Sequence, residues 1–116
     1  MIEVKRYDLR FNQGSRFELP INVTESGVTK DLTNWTARMQ IRQFKDSATV
    51  LADYTILNGR ITVNGPTGRV TVLVPASVTD GYEWGDGVYD LEIVAPDGDA
   101  IRIMEGTVSF SKQVTR

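Results

Sequence analysis

Residues 84–110 read WGDGVYDLEIVAPDGDAIRIMEGTVSF, two β-runs separated by the turn cluster Pro96-Asp97-Gly98-Asp99. A cluster of that kind between alternating runs is a strong hairpin signal. In the first run Tyr89, Leu91, Ile93 and Ala95 share one parity and Asp90 and Glu92 the other. That is the period-two pattern of a half-buried strand. The second run keeps Ile101 and Ile103 in phase, then sets Val108 and Phe110 on the opposite parity. A β-bulge at Met104-Glu105-Gly106 accounts for the switch, with Gly106 as the residue that tolerates it. This hairpin is the expected central pair of an all-β domain.

Working back from it, Val70, Val72 and Val74 form a short strand ended by Pro75, and the stretch from Ala76 to Asp80 has room for one helical turn at most. Ile61 and Val63 form another strand after the turn dipeptide Asn58-Gly59. A weaker run covers residues 49–56, with Leu51 and Tyr54 facing inward, and Lys45-Asp46-Ser47 before it reads as a loop. Trp35, Ala37, Met39 and Ile41 alternate with Thr36, Arg38, Gln40 and Arg42 in one of the clearest strands of the chain. Phe17, Leu19, Ile21 and Val23 make a strand that Pro20 confines to a sheet edge or a bulge. Residues 2–11, with Tyr7, Leu9 and Phe11 in alternation, make the first strand. Residues 2–11 and 49–56 are the expected edges. The polar end, Ser111 to Arg116, reads as a fraying terminus or a connection to something else. About eight short strands with turns roughly every ten residues predict a single antiparallel immunoglobulin-like β-sandwich over residues 1–116.

The 116 residues suffice for one core, and 41% apolar with 24% charged residues is the balance of an ordinary globular protein. Cysteine and histidine are both absent, which removes disulfides, thiolate nucleophiles, the usual zinc sites and the commonest neutral-pH base. A formal charge of −2 gives no footprint for nucleic acid, and no apolar run approaches a membrane span. MIEVKRYDLRF reads as a strand, without signal-peptide layout, so use without Sec export is expected. No Ser-x-x-Lys, Gly-x-Ser-x-Gly or phosphate loop occurs, and the expectation is a non-enzyme without cofactor or metal. Asp97-Gly98-Asp99 is far too short for an EF-hand and reads as a hairpin turn.

Two constellations stand out. Arg38 and Arg42 lie on the outward face of their strand, Asp90 and Glu92 on that of the hairpin's first strand, and Arg102 on that of its second. Neighbouring in that order, they would set basic, acidic and basic rows side by side. A solvated sheet face is the plainer account, and a docking face for another subunit the sharper one. Tyr82 and Trp84, flanked by Gly81 and Gly85, either cover one end of the core or anchor an interface. Trp35 and Tyr89 are read as packing residues, Tyr89 near the place of the tyrosine corner of immunoglobulin-type folds.

DLTNWTARMQIR at 31–42, GRVTVLVP at 68–75, VYDLEIVAPDG at 88–98 and EGTVSFSKQVTR at 105–116 together resemble small bacteriophage structural proteins with an immunoglobulin-like fold. Within that group the chain is similar to the N-terminal domain of siphophage baseplate upper proteins. There a D-L-T-G segment precedes the third strand and a G-x-Y-x-x-E-L segment the last hairpin. Here Asn34 replaces the glycine, and Asp86 to Glu92 cover the second segment. The resemblance implies a virion component of the tail, baseplate or head-to-tail region, made in the host cytoplasm. It implies action through contacts with other phage virion proteins, or with copies of itself, and no catalytic residues. The expected interface residues are Arg38, Arg42, Tyr82 and Trp84. The alternative is a carbohydrate-binding module for host adhesion, with Tyr82 and Trp84 as its stacking rings.

Overall fold

A computed structural model describes residues 2–115. The described chain is all-β except for one turn of helix. Its elements are β1 (Lys5–Arg6), β2 (Leu9–Asn12), β3 (Phe17–Asn22), β4 (Thr24–Glu25), β5 (Val28–Thr29), β6 (Thr36–Arg42), β7 (Val50–Thr55), β8 (Ile61–Asn64), β9 (Arg69–Val74), α1 (Ala76–Thr79), β10 (Gly87–Val94) and β11 (Ala100–Ser111). The eleven described strands exceed the eight expected because β1, β4 and β5 are two-residue pieces.

The large sheet runs β1-β11-β10-β6-β7, with β2 also on β11, and a three-stranded sheet runs β3-β9-β8. Inward residues of both sheets meet in one core, in which Phe11, Ile41, Val70, Val72, Val74, Leu91 and Ile93 are fully buried. The central register explains why: Ile41 lies opposite Tyr89, Met39 opposite Leu91 and Ala37 opposite Ile93, so every inward side chain of β6 meets one of β10. Burying such side chains is the main stabilising term, at about 1.5–3 kcal/mol each.

β3, β7 and β1 are sheet edges, as Pro20 and the weak phase of residues 2–11 and 49–56 lead one to expect. Pro20 lies opposite Thr71, at the outer side of the three-stranded sheet, where a missing N–H costs no ladder bond. Pro75 precedes the single turn α1.

Four expectations are corrected. The large sheet is mixed, since β1 and β2 both run parallel to β11. Period-two alternation locates a strand but carries no sign for its partner's direction. Residues 2–11 are two strands rather than one. At the break the Asp8 carboxylate accepts the Thr107 N–H at 3.0 Å, in place of a ladder bond, and the Tyr7 carbonyl accepts the Tyr89 hydroxyl.

The bulge in β11 comes earlier than Met104-Glu105-Gly106. Leu91 pairs with Met104 and Glu92 with Arg102, so Ile103 is the extra residue and Ile103 and Met104 both point inward. Gly106 serves a different purpose: it lies opposite Tyr89, and a Cβ there would sit 2.5 Å from the Tyr7 carbonyl oxygen. Its bare backbone lets the Tyr89 hydroxyl reach across β11. Leu51, expected inward, is the extra residue of a second irregularity, between Ala52 opposite Ile41 and Val50 opposite Arg42. Ala52 and Tyr54 take the inward positions, and Leu51 is half-buried.

Candidate functional site

β6, β10 and β11 are adjacent, so the expected rows of charge lie side by side on the outer face of the large sheet. Arg38 lies opposite Glu92, and its Nε donates to Glu92 Oε1 at 2.8 Å. Arg102 lies opposite Glu92 on the other side but turns along β11, reaching Asp90 Oδ2 at 3.5 Å and Glu105 Oε1 at 3.0 Å. Arg42 is held by acceptors without formal charge: Nη1 donates to the Ser47 carbonyl at 2.5 Å and Nη2 to Gln40 Oε1 at 2.9 Å. Gln40 passes the chain of bonds on to Asp53 Oδ1 at 3.4 Å. Exposed pairs of this kind contribute roughly 0.2–1 kcal/mol each, too little to explain the fold. They do fix the direction of each charged group.

A groove of about 410 Å³ opens on this face. Arg42, Lys45, Arg6 and Arg102 supply its cations, and Asp90 and Glu105 its anions. Arg6 is answered by Asp8 at 3.4 Å and Arg102 by Asp90 and Glu105, whereas Arg42 and Lys45 have no acidic partner among the described residues. The Thr107 N–H, with Arg6 behind it, holds the Asp8 carboxyl below the usual aspartate range.

Tyr82 and Trp84 form a second, separate group. Their ring centroids are 5.1 Å apart, and Trp84 packs against Phe110 at 4.9 Å and Phe11 at 5.8 Å. Phe17 extends the cluster by stacking on Phe11 at 4.0 Å. Tyr82 and Tyr54 share a hydroxyl–hydroxyl bond of 2.8 Å, and burial pushes both phenols up from their ordinary value. The two rings cover one end of the core and are half-buried. Trp84 Nε1 is a buried donor with no partner among the described residues. Tyr82 and Trp84 pack at the end of the core while Arg38 and Arg42 lie on the outer face of the large sheet, so the four expected interface residues make two groups.

Tyr89 is a buried packing residue whose hydroxyl does bond a backbone carbonyl. Its acceptor is Tyr7, at the break between β1 and β2, rather than a residue just upstream, so it is no tyrosine corner. Trp35 is half-buried at the start of β6, under Lys30 Nζ at 5.0 Å, and Met39 holds the centre of the strand. Lys45 and its exposed neighbour Phe44 escaped sequence reading because they lie in a loop, where periodicity carries no signal. In the 96–99 turn Asp97 Oδ1 accepts the Asp99 N–H at 2.9 Å, and Gly98 takes φ 96°. Among the described residues no group of three acidic side chains is placed to hold a metal ion. No described helix is long and apolar enough to cross a membrane.

Comparison with protein-family models and with curated proteins finds no match for this chain.

Proposed function

We propose that this protein is a non-catalytic structural component of a bacteriophage virion, of the tail, baseplate or head-to-tail region. It works by docking the outer face of β6, β10 and β11 against protein partners, on an immunoglobulin-like sandwich. The observation that carries the reading is the backbone at Asp31–Asn34. Asn34 has φ 68°, the left-handed conformation that favours glycine, where the similar phage segment D-L-T-G has its glycine. Asp31 Oδ1 accepts the N–H of Thr33 at 2.9 Å and its hydroxyl at 2.6 Å, and the Leu32 N–H bonds the Gly65 carbonyl at 2.8 Å. The segment thus closes a turn that seats Leu32 in the core and launches β6. The adjacency of β6, β10 and β11 also agrees with the order of an immunoglobulin-like sheet.

Mass spectrometry of purified particles of the phage whose genome encodes the chain tests this. The expected result is the protein at a fixed ratio to the other virion proteins, and its absence from the particles would overturn the reading. The alternative, a carbohydrate-binding module, draws on Tyr82 and Trp84, both half-buried against Phe11 and Phe110. A glycan array with signal lost in a Trp84→Ala variant of unchanged fold would favour it.

A further inference from the structure

We propose that the hairpin tip Pro96–Asp99 of one molecule docks into the groove beside Arg42 and Lys45 of a second copy, joining the chains head to tail. The inference deepens the docking reading above and rests on it only in requiring contact between proteins. Three observations carry it.

The first is charge. Asp97 and Asp99 stand on an exposed turn, and neither makes an ion pair among the described residues. Arg42 and Lys45 are likewise without an acidic partner, while the other cations of the groove have theirs. Asp46 beside Lys45 and Asp53 on β7, whose carboxylate takes the Gln40 amide, also make no ion pair among the described residues, but the tip offers two unanswered acids and the groove two unanswered bases.

The second is readiness. The Asp97–Asp99 bond and the glycine at 98 fix the tip, and the Ser47 carbonyl and Gln40 hold the Arg42 guanidinium over the groove. Three of its five N–H groups remain to donate to a carboxylate. Phe44, 55% exposed in the loop that carries Lys45, is an apolar surface for Pro96.

The third is distance. Arg42 lies opposite Val88 at the start of β10, and the tip follows Val94 at its end. Six residues of strand separate them by about 20 Å. No molecule can seat its own rigid tip in its own groove, so the contact must join two molecules through unlike surfaces. Contacts of that type build rings when the rotation closes and filaments when it does not.

Light scattering over a concentration series tests the contact through a charge exchange. The tip variant is Asp97→Asn with Asp99→Lys, keeping an acceptor for the turn, and the groove variant is Arg42→Gln with Lys45→Glu. At low salt the wild type should rise in mass with concentration, and it should return toward the 12.9 kDa of one chain in about 0.5 M salt. Each variant alone should stay monomeric with an unchanged urea midpoint. An equimolar mixture should associate again, because each then offers the other an opposite surface. A monomeric wild type at low salt, variants that associate as the wild type does, or a mixture that stays monomeric would overturn the proposal. A monomer that is nevertheless found in phage particles would overturn the self-contact and leave the virion reading standing.

Discussion

The two faces of the β6–β10–β11 sheet are built from the same strands and do opposite work. On the inner face Met39, Leu91 and Ile93 are removed from water and hold the fold by burial. On the outer face, one residue along in each strand, Arg38 bonds Glu92 and Arg102 bonds Asp90 in exposed pairs that add little. The difference teaches that the inner face is tuned for stability, whereas the outer one is free to be tuned for contact. Charged rows whose members are oriented but barely stabilising suit recognition.

The largest expected break in that contrast is on the inner side. Leu91→Ala should cost about 2–5 kcal/mol, read as a lowered urea midpoint, since the fully buried side chain leaves a cavity between the sheets. Next is Tyr89→Phe, which leaves the Tyr7 carbonyl without the hydroxyl that holds the first strands to β11. A loss of about 1–2 kcal/mol is expected, with faster amide exchange in residues 5–9 than elsewhere. Asn34→Val forces a β-branched residue into the left-handed region and should cost about 1–2 kcal/mol, while Asn34→Gly should be close to neutral. An Asn34→Gly variant as damaged as Asn34→Val would remove the backbone argument for the phage-like turn.

The smallest effect is a pH dependence at the edge of the outer face. The Asp8 carboxyl titrates lower in the folded chain than in the unfolded one, chiefly through the Thr107 N–H. Its contribution is therefore complete above the ordinary aspartate range and is lost as pH falls through the lowered folded value. Asp8→Asn, which keeps an acceptor for Thr107, should flatten the acid limb of a melting-temperature profile and leave the neutral region alone. An unchanged acid limb would show that the bond does not bias the titration.

The strands with one buried face were legible in the sequence because burial imposes the alternation itself. Ala37-Met39-Ile41, Val70-Val72-Val74 and Tyr89-Leu91-Ile93 all read correctly on that ground. Pro20 likewise announced an edge through its missing N–H. What stayed hidden depends on partners distant in sequence. The parallel pairing of Leu9–Asn12 with the last strand leaves no mark on alternation. Gly106 is the residue that best tolerates a bulge, yet the adjacent apolar pair Ile103-Met104 is the signal that marks its place. The site divides the same way. Parity on a strong strand places Arg38 and Arg42 on its outward face, whereas Lys45 joins Arg42 at the groove through a loop whose path no pattern predicts.

The measurement that tests this division of labour most directly is the urea midpoint of a variant with four charges of the outer face neutralised. Arg38→Gln, Asp90→Asn, Glu92→Gln and Arg102→Gln together remove its two cross-strand pairs. The predicted loss is about 1 kcal/mol or less, with an unchanged denaturant slope. A loss as large as that of Leu91→Ala would contradict the account, because the outer face would then be holding the fold.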